Sequence, residues 1–247
     1  MPPDPVRVIS PMTSQNQKTV AVVGGSGAEG GGLALRFAKA GMRVLIGSRS
    51  ADKAQAAARR IAELTGSENV AGRANADAVK GAEIVVLTVP LAAQTETLKG
   101  IRGSFAPGAI LVDATVPLEI AIGGRLSRIV ALWDGSAAQQ AARLAPSGVP
   151  VVSTFHALSA EALAALDSAV DCDALLCGDN AEAKAAVTQL AEAIPGVRAV
   201  DAGPLENARY LESAAALLIA LNLRHKVHHS GMRITGITGL KSYGPRQ

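Results

Sequence analysis

The sequence predicts an α/β fold, a doubly wound parallel sheet followed by a smaller C-terminal α/β domain. First, a short β-branched run leads through a glycine turn into a helix at residues 20–30. Second, apolar runs of strand length alternate with helical segments along the rest of the chain, as in parallel sheets with crossover helices. Third, residues 83–90 form a largely apolar run, which is typical of a strand buried on both faces.

Composition limits the kinds of protein that this chain can be. Basic residues number 24 against 21 acidic ones, and this net charge of +3 is too mild to indicate nucleic-acid binding. No apolar run approaches the roughly 20 residues of a membrane span, and the start of the chain lacks the apolar stretch of a signal peptide. Cys172 and Cys177 fit neither a disulfide framework nor a zinc spacing. We therefore expect a reduced, cytoplasmic protein with no metal site and no nucleic-acid or membrane partner.

The glycine turn near the start of the chain carries the first functional signal. Gly25, Gly27 and Gly30 stand in G-x-G-x-x-G spacing between a predicted strand and a predicted helix. In a Rossmann unit the first glycine permits the tight turn, the second lets the backbone approach a pyrophosphate, and the third lets the helix pack on the strand. Free N–H groups at the helix start then bind the phosphates. We predict a dinucleotide site here, the alternative being a purely structural turn.

The end of the second predicted strand, residues 42–47, indicates which dinucleotide binds. NAD enzymes usually place an acidic residue about 20 positions beyond the glycines, where it binds the ribose hydroxyls. Here Ser48 and Arg49 stand at that point, Lys53 follows, and the first acid is Asp52. A hydroxyl and two cations suit a 2′-phosphate. The sequence therefore favours NADP(H), although Arg49 and Lys53 could also be ordinary solvated residues at a helix start.

The remaining elements of the first half follow in order. The predicted elements are a helix capped by Ser50 that runs to about residue 64, strands at 70–73, 83–90 and 108–113, a helical turn at 76–79 and a loop at 118–135. Two of these strands run into Thr88-Val89-Pro90 and Thr115-Val116-Pro117. Open α/β sheets bind ligands beyond the carboxyl ends of their strands, so that both segments are candidates for the site. The two prolines could also be simple strand ends.

The C-terminal half continues the alternation. The predicted elements are helices at 136–144, 160–166, 180–193 and about 206–225, and strands at 149–155, 174–177 and 197–201. His156 would lie at the carboxyl end of the strand at 149–155. The last helix is apolar on most sides, which indicates a buried element or an interface. We divide the chain into a flexible N-terminal extension (1–17), a Rossmann domain that binds the dinucleotide (18–155) and a smaller C-terminal domain (156–247).

Several short motifs occur in the order in which one enzyme family carries them. They are Gly24-Gly25-Ser26-Gly27, Gly47-Ser48-Arg49, Leu87-Thr88-Val89-Pro90, Val116-Pro117, Ser153-Thr154-Phe155-His156, Cys177-Gly178-Asp179 and the runs 201–209 and 231–237. Together they resemble the NADPH-dependent reductases of the deazaflavin coenzyme F420, also called F420-dependent NADP reductases. The resemblance covers roughly residues 18–240. The run 201–209 is its most specific part, because a generic Rossmann domain has no reason to carry it.

The resemblance implies an oxidoreductase that transfers a hydride between C4 of the nicotinamide in NADP(H) and C5 of the deazaflavin, with coenzyme F420 as co-substrate. Because the two cofactors do the chemistry, no catalytic side chain and no metal is required. The dinucleotide is assigned to Gly25, Ser26, Gly27, Ala28, Glu29, Gly30, Ser48, Arg49, Lys53, Thr88, Val89, Ala93 and Val116. The deazaflavin is assigned to Pro90, Pro117, His156, Leu158, Leu205 and Asn207.

Two positions depart from the family pattern. Glu29 stands where members commonly carry a neutral residue, and a carboxylate there would repel a pyrophosphate unless it pointed outward along the helix start. Leu91 replaces a bulky aromatic residue, so that we expect a wider mouth of the site. Two assignments also have structural alternatives, because His156 could be a histidine satisfied at a strand end and Asn207 could only cap the last helix.

Other interpretations stay open at this point. We expect a homodimer through the last helix. The alternative functions are NADPH-dependent reduction of another acceptor, such as a flavin, a ferric chelate, an imine or a carbonyl, and non-catalytic sensing of NADP(H). The segment from residue 224 onward carries five basic residues and no acidic one. It could attract the anionic tail of the deazaflavin or be an exposed basic tail.

Overall fold

The computed structural model describes residues 18–239, so that the predicted N-terminal extension lies outside the described residues. The helices and strands, in chain order, are β1 (Thr19–Val23), α1 (Ala28–Lys39), β2 (Arg43–Ser48), α2 (Ala51–Thr65), β3 (Val70–Ala74), α3 (Asn75–Val79), β4 (Ile84–Leu87), α4 (Leu91–Ile101), β5 (Ile110–Asp113), α5 (Ala137–Leu144), β6 (Val151–Ser153), α6 (Ala160–Ala164), β7 (Cys172–Gly178), α7 (Ala181–Glu192), β8 (Val197–Asp201) and α8 (Ala208–His225). Short 3-10 turns lie at Arg102–Ser104, Glu119–Ile122 and Leu205–Asn207.

The strands form one eight-stranded sheet in the order β3-β2-β1-β4-β5-β6-β7-β8. The first six strands in the chain run parallel to one another, which confirms the predicted doubly wound architecture. β7 runs antiparallel to β6 and parallel to β8, so that the last two strands extend the sheet in the opposite direction. The sequence did not predict this reversal, because strands buried on both faces are apolar throughout in either orientation. The division of the chain at residue 155 stays a prediction.

Helices cover both faces of the sheet, and alternate residues of β1 belong to different cores. Val20 and Val22 pack with α1, α2, α6 and α7, whereas Ala21 and Val23 pack with α3, α4, α5 and α8. Both cores are built almost entirely from aliphatic side chains. The tilted ring pair of Phe37 and Phe155, with centroids 6.1 Å apart, is an aromatic exception.

Capping side chains explain four of the eight helix starts among residues 18–239. Ser50 accepts a hydrogen bond from the N–H of Lys53, and Asn180 accepts one from the N–H of Ala183, as predicted for N-caps. Helix α4 was missed, since it begins without a capping side chain and contains polar and β-branched residues such as Thr95.

Candidate cofactor site

The glycine loop between β1 and α1 lies where the strand order reverses, between β2 and β4. The N–H of Gly24 donates to Gly47 O at 3.1 Å, and the N–H of Thr88 donates to Val23 O at 2.9 Å, so that the loop is fixed to both neighbouring strands. A Cβ on Gly30 would lie 2.3 Å from Thr88 Oγ1. Only a glycine therefore lets α1 approach β4 this closely, which is the role predicted for the third glycine of the motif.

A cavity of about 290 Å³ lies over this loop and the end of β2. Ser26, Ser48, Arg49 and Lys53 all line it, so that the hydroxyls and cations predicted from the sequence do come together. Asn75, which the sequence analysis missed, lines the same cavity, and its side-chain oxygen is buried without a hydrogen-bond partner among the described residues. An unpaired buried acceptor suits a ligand that brings a donor, such as an amino group on a purine. The cavity thus fits the phosphate-bearing end of a dinucleotide.

A second cavity, of about 660 Å³, adjoins the first and shares Gly27, Thr88, Val89 and Pro90 with it. We call the two together the cleft. The second cavity is bounded by strand ends on one side and by the C-terminal part of α8 on the other. Its walls are mainly apolar, and they include Leu91, Val116, Leu118, Leu158, Leu218 and Ile219. Such walls suit flat aromatic rings rather than a charged ligand.

His156 reaches the second cavity because the backbone turns sharply after β6. Phe155 has a φ of 77°, a conformation that bulky residues rarely adopt, and its ring is buried against Phe37. The next residue, His156, then lines the cavity, with its Nε2 atom 3.4 Å from Ser153 Oγ. Desolvation lowers the pKa of His156 to about 4. The imidazole is therefore neutral at pH 7 and can act there as a hydrogen-bonding group without charge.

Glu29 lies in the first turn of α1 and is half-buried. Its side chain lines the second cavity and is absent from the lining of the cavity that contains Arg49. Burial, together with the negative charge of Asp113, raises the pKa of Glu29 to about 8. The repulsion of a pyrophosphate that the sequence led us to consider is therefore weak, because the group is protonated at neutral pH and faces the other end of the cleft.

A buried polar network lies behind the cleft, and the sequence analysis missed it. Asp113 is fully buried at the end of β5, where its Oδ1 atom accepts hydrogen bonds from Gln94 Nε2 (3.1 Å) and Thr115 Oγ1 (2.9 Å). Its Oδ2 atom has no partner among the described residues. Desolvation outweighs these hydrogen bonds and raises the pKa of Asp113 to about 7. Glu212 of α8, whose pKa burial raises to about 8, accepts hydrogen bonds from the N–H groups of Ala137 and Ala138 at the start of α5.

Most of the site residues predicted from the sequence line the cleft. They are Ser26, Gly27, Ala28, Glu29, Gly30, Ser48, Arg49, Lys53, Thr88, Val89, Pro90, Ala93, Val116, His156 and Leu158. Gly25, Pro117, Leu205 and Asn207 line neither cavity.

The start of α8 explains the position of two of these residues. Leu205 is buried in the core below the sheet, and its N–H donates to Asp179 Oδ1 at 2.9 Å. Asn207 makes no capping hydrogen bond to α8; its side-chain amide instead donates to Ala202 O at 2.6 Å. The contact of Leu205 and Asn207 with a deazaflavin stays a prediction.

The C-terminal basic segment is used in part for internal ion pairs. Arg233 donates hydrogen bonds to Asp171 and Asp173, and Lys241 and Arg246 lie outside the described residues. His228 lines the second cavity, which the sequence analysis did not predict. Within residues 18–239, no group of three or more His, Cys, Asp or Glu side chains could hold a metal ion. No helix in that part of the chain is long and apolar enough to span a bilayer.

Comparison with known proteins gives consistent results for sequence and structure. Residues 19–117 match the family model described as "NADP oxidoreductase coenzyme F420-dependent". A protein from Methanothermobacter thermautotrophicus is 48% identical over 221 residues, which are 88% of this chain and 95% of the relative. A second relative, from Methanothermobacter marburgensis, is 46% identical over 221 residues, 88% of this chain and 98% of the relative. Both relatives are named F420-dependent NADP reductase.

A similar solved structure comes from Arthrobacter sp. FB24, and it was provisionally described as an F420-dependent NADP reductase. It superimposes with a TM-score of 0.75 and 26% identity, over 90% of this chain and all of the other.

Proposed function

The chain belongs to the family of F420-dependent NADP reductases, and from this we infer that it is an oxidoreductase that transfers a hydride between NADP(H) and the deazaflavin coenzyme F420. The structural observation that supports this inference is the cleft. It joins a cavity with hydroxyls and cations to a larger, mainly apolar cavity across Gly27, Thr88 and Val89.

The first cavity supplies the groups that distinguish NADP(H) from NAD(H). The N–H groups at the start of α1 would bind the pyrophosphate. Arg49 and Lys53, with the hydroxyl of Ser48, would bind the 2′-phosphate. The unpaired oxygen of Asn75 would offer the purine a hydrogen-bond acceptor.

The second cavity is suited to holding two rings against each other. A deazaflavin carries two electrons as a hydride, so that the protein has to orient the rings and exclude water. Reacting atoms have to be held about 3–3.5 Å apart. The ends of β4 and β5, with Val89 and Val116, support one side, and His156 and Leu158 after β6 support another.

The same chain is proposed to act as a cytoplasmic homodimer. On α8, Tyr210, Leu217 and Leu221 are 66%, 58% and 37% exposed, and their spacing puts them on one side of the helix. Exposed apolar residues that form a stripe usually mark an interface. Cys172 and Cys177 are both free thiols, as expected in a reducing compartment.

Comparing NADPH with NADH tests this proposal. Purified protein is titrated with each under anaerobic conditions, and oxidised F420 is then added while its visible absorbance is followed. We expect NADPH to bind more tightly and to bleach F420, and a flavin or a ferric chelate to be reduced far more slowly. Bleaching of a flavin with no effect on F420 would contradict the assigned acceptor.

A further inference from the structure

We propose that Glu29 donates the proton that accompanies hydride transfer, and that its carboxylate then remains beside the positively charged nicotinamide. The proposal rests on the proposed function, because it concerns the same cleft and the same two rings. It adds a catalytic side chain to a site for which the sequence analysis expected none.

The position of Glu29 supports this role. The first cavity contains Arg49 and hence the adenosine end of the dinucleotide. The nicotinamide is at the opposite end of the dinucleotide from the adenosine. A dinucleotide that extends past the shared residues Gly27 and Thr88 therefore places its nicotinamide in the second cavity. Glu29 lines that second cavity and lies two residues after Gly27. Its side chain therefore belongs to the part of the cleft where the electrons move.

The other ionisable side chains that line the second cavity are less suited to donate this proton. Among the described residues, its lining contains three ionisable side chains, Glu29, His156 and His228. His156 is neutral at pH 7 because its pKa is lowered to about 4, and His228 is exposed. Glu29 carries a proton at pH 7, since burial and the charge of Asp113 raise its pKa to about 8.

Two further carboxyls lie behind the cleft, and one of them affects this proton. The negative charge of Asp113 raises the pKa of Glu29 and also that of Glu212. Asp113 and Glu212 are buried and do not line the cavity, so that Asp113 favours a protonated Glu29 without reaching the rings itself.

The step balances in charge and atoms. A hydride leaves C4 of NADPH and forms the new C–H bond at C5 of the deazaflavin, while the electron pair moves through the conjugated ring to N1. The O–H bond of Glu29 breaks as the N1–H bond forms, and the carboxylate recovers its proton from solvent before the next turnover. A neutral pair, nicotinamide and carboxylic acid, thus becomes a nicotinamide cation next to a carboxylate. The proton on N1 leaves the reduced ring neutral, and the negative charge then lies on the carboxylate, which stabilises the nicotinamide cation beside it.

Proton release on binding tests the proposal without any acceptor. At pH 7, NADP⁺ should lower the pKa of Glu29 through its ring charge and release on the order of one proton per site, measured with a pH indicator in weak buffer. NADPH carries the same phosphates without the ring charge, and it serves as the ligand control. We expect the excess release with NADP⁺ over NADPH to disappear in Glu29→Gln. Equal release with both dinucleotides in the unmodified protein would overturn the proposal.

The pH dependence of F420 reduction gives the second readout. The rate of anaerobic bleaching by NADPH should fall above about pH 8 in the unmodified protein. Glu29→Gln should be slower by at least ~10-fold and lose this dependence, because the amide cannot donate the proton. The matched control is Glu161→Gln, which changes an exposed carboxyl in the first turn of α6 and should keep the original profile.

The outcomes separate this proposal from the proposed function. Circular dichroism and NADPH affinity first establish that Glu29→Gln is folded and binds its dinucleotide. An unchanged rate and pH profile in that variant would overturn the role of Glu29 and leave F420 reduction intact. No bleaching in the unmodified protein would contradict F420 as acceptor, while proton release on NADP⁺ binding would still decide the role of Glu29.

Discussion

The Ser26 hydroxyl in the glycine loop donates a hydrogen bond to the Ser48 hydroxyl at the end of β2, with 3.3 Å between the oxygens. Ser48 Oγ also lies 3.4 Å from the N–H of Ser50, the N-cap of α2. These contacts join the loop that would bind the pyrophosphate to the segment that would bind the 2′-phosphate. In the proposed site, these contacts would fix the distance between the two phosphate subsites before the dinucleotide binds.

Arg49→Ala should impair the use of NADPH selectively. A hydrogen bond to a charged group contributes about 1.5–3 kcal/mol, so that we expect KM for NADPH to rise roughly 10- to 100-fold while KM for NADH changes little. Steady-state F420 reduction with each dinucleotide measures both values. Arg60→Ala, which removes an exposed cation from helix α2 outside the cavity, is the control. Equal losses with NADPH and NADH would show that Arg49 does not contact the 2′-phosphate.

Gly30→Ala and Gly31→Ala form a matched pair that tests the close approach of α1 to β4. A Cβ at Gly30 would lie 2.3 Å from Thr88 Oγ1, whereas one at Gly31 would make an ordinary contact 3.4 Å from Gly25 O. We expect Gly30→Ala to weaken NADPH binding strongly and to lower the melting temperature. Gly31→Ala should bind normally and gain up to about 1 kcal/mol in stability from helix propensity. Similar NADPH affinities in both variants would refute this account of the motif.

Asp113→Asn should alter the pH dependence of stability. The pKa of Asp113 rises from 3.8 to about 7 on folding, so that between these values the folded state binds a proton that the unfolded state has lost. The free energy of unfolding therefore falls as the pH rises from about 4 to about 7. Glu29 and Glu212, with pKa values raised to about 8, act in the same direction.

The asparagine variant removes the contribution of Asp113 and imitates its protonated form. We expect its melting temperature to exceed that of the unmodified protein at pH 8, by roughly 3–10 °C, and to match it near pH 5. Thermal unfolding monitored by circular dichroism at both pH values gives the comparison. If the variant's melting temperature exceeds that of the unmodified protein by the same amount at both pH values, Asp113 is already ionised in the folded state at pH 5.

Leu217→Glu should dissociate the proposed dimer. Leu217 is 58% exposed on α8, and a charge in the middle of an apolar interface has to be desolvated without a partner. Sedimentation velocity at micromolar concentration should show a dimer for the unmodified protein and a monomer for this variant. Leu64→Glu changes a similarly exposed leucine on α2 and should leave the dimer intact. A monomeric unmodified protein would contradict the interface.

The parts of the site that could be predicted from the sequence are those that depend on local chemistry. The glycine spacing and the capping residues Ser50 and Asn180 act within a few positions of the chain, and all appear where predicted. Ser48 ends β2 and Arg49 follows it directly, so that finding the strand was enough to place them.

The missed parts depend on contacts between distant segments. Asn75 reaches the phosphate cavity because α3 begins beside Gly47, and His228 reaches the second cavity because the chain turns back after α8. A glutamate such as Glu212 in an apolar helix is expected at the surface. In the structure it is 1% exposed and accepts a hydrogen bond from the N–H of Ala137 at the start of α5. The raised pKa of Glu29 likewise arises from burial and from Asp113, which is far away in the sequence.

Isotope transfer tests the central claim most directly. NADPH carrying deuterium at both C4 positions is mixed with the protein and oxidised F420 in ordinary water without oxygen, and the reduced F420 is analysed by mass spectrometry. If the hydride passes directly between two rings held in the cleft, each reduced F420 molecule should carry one deuterium from NADPH. Reduced F420 without deuterium, or NADPH oxidation with no reduction of F420, would contradict the account.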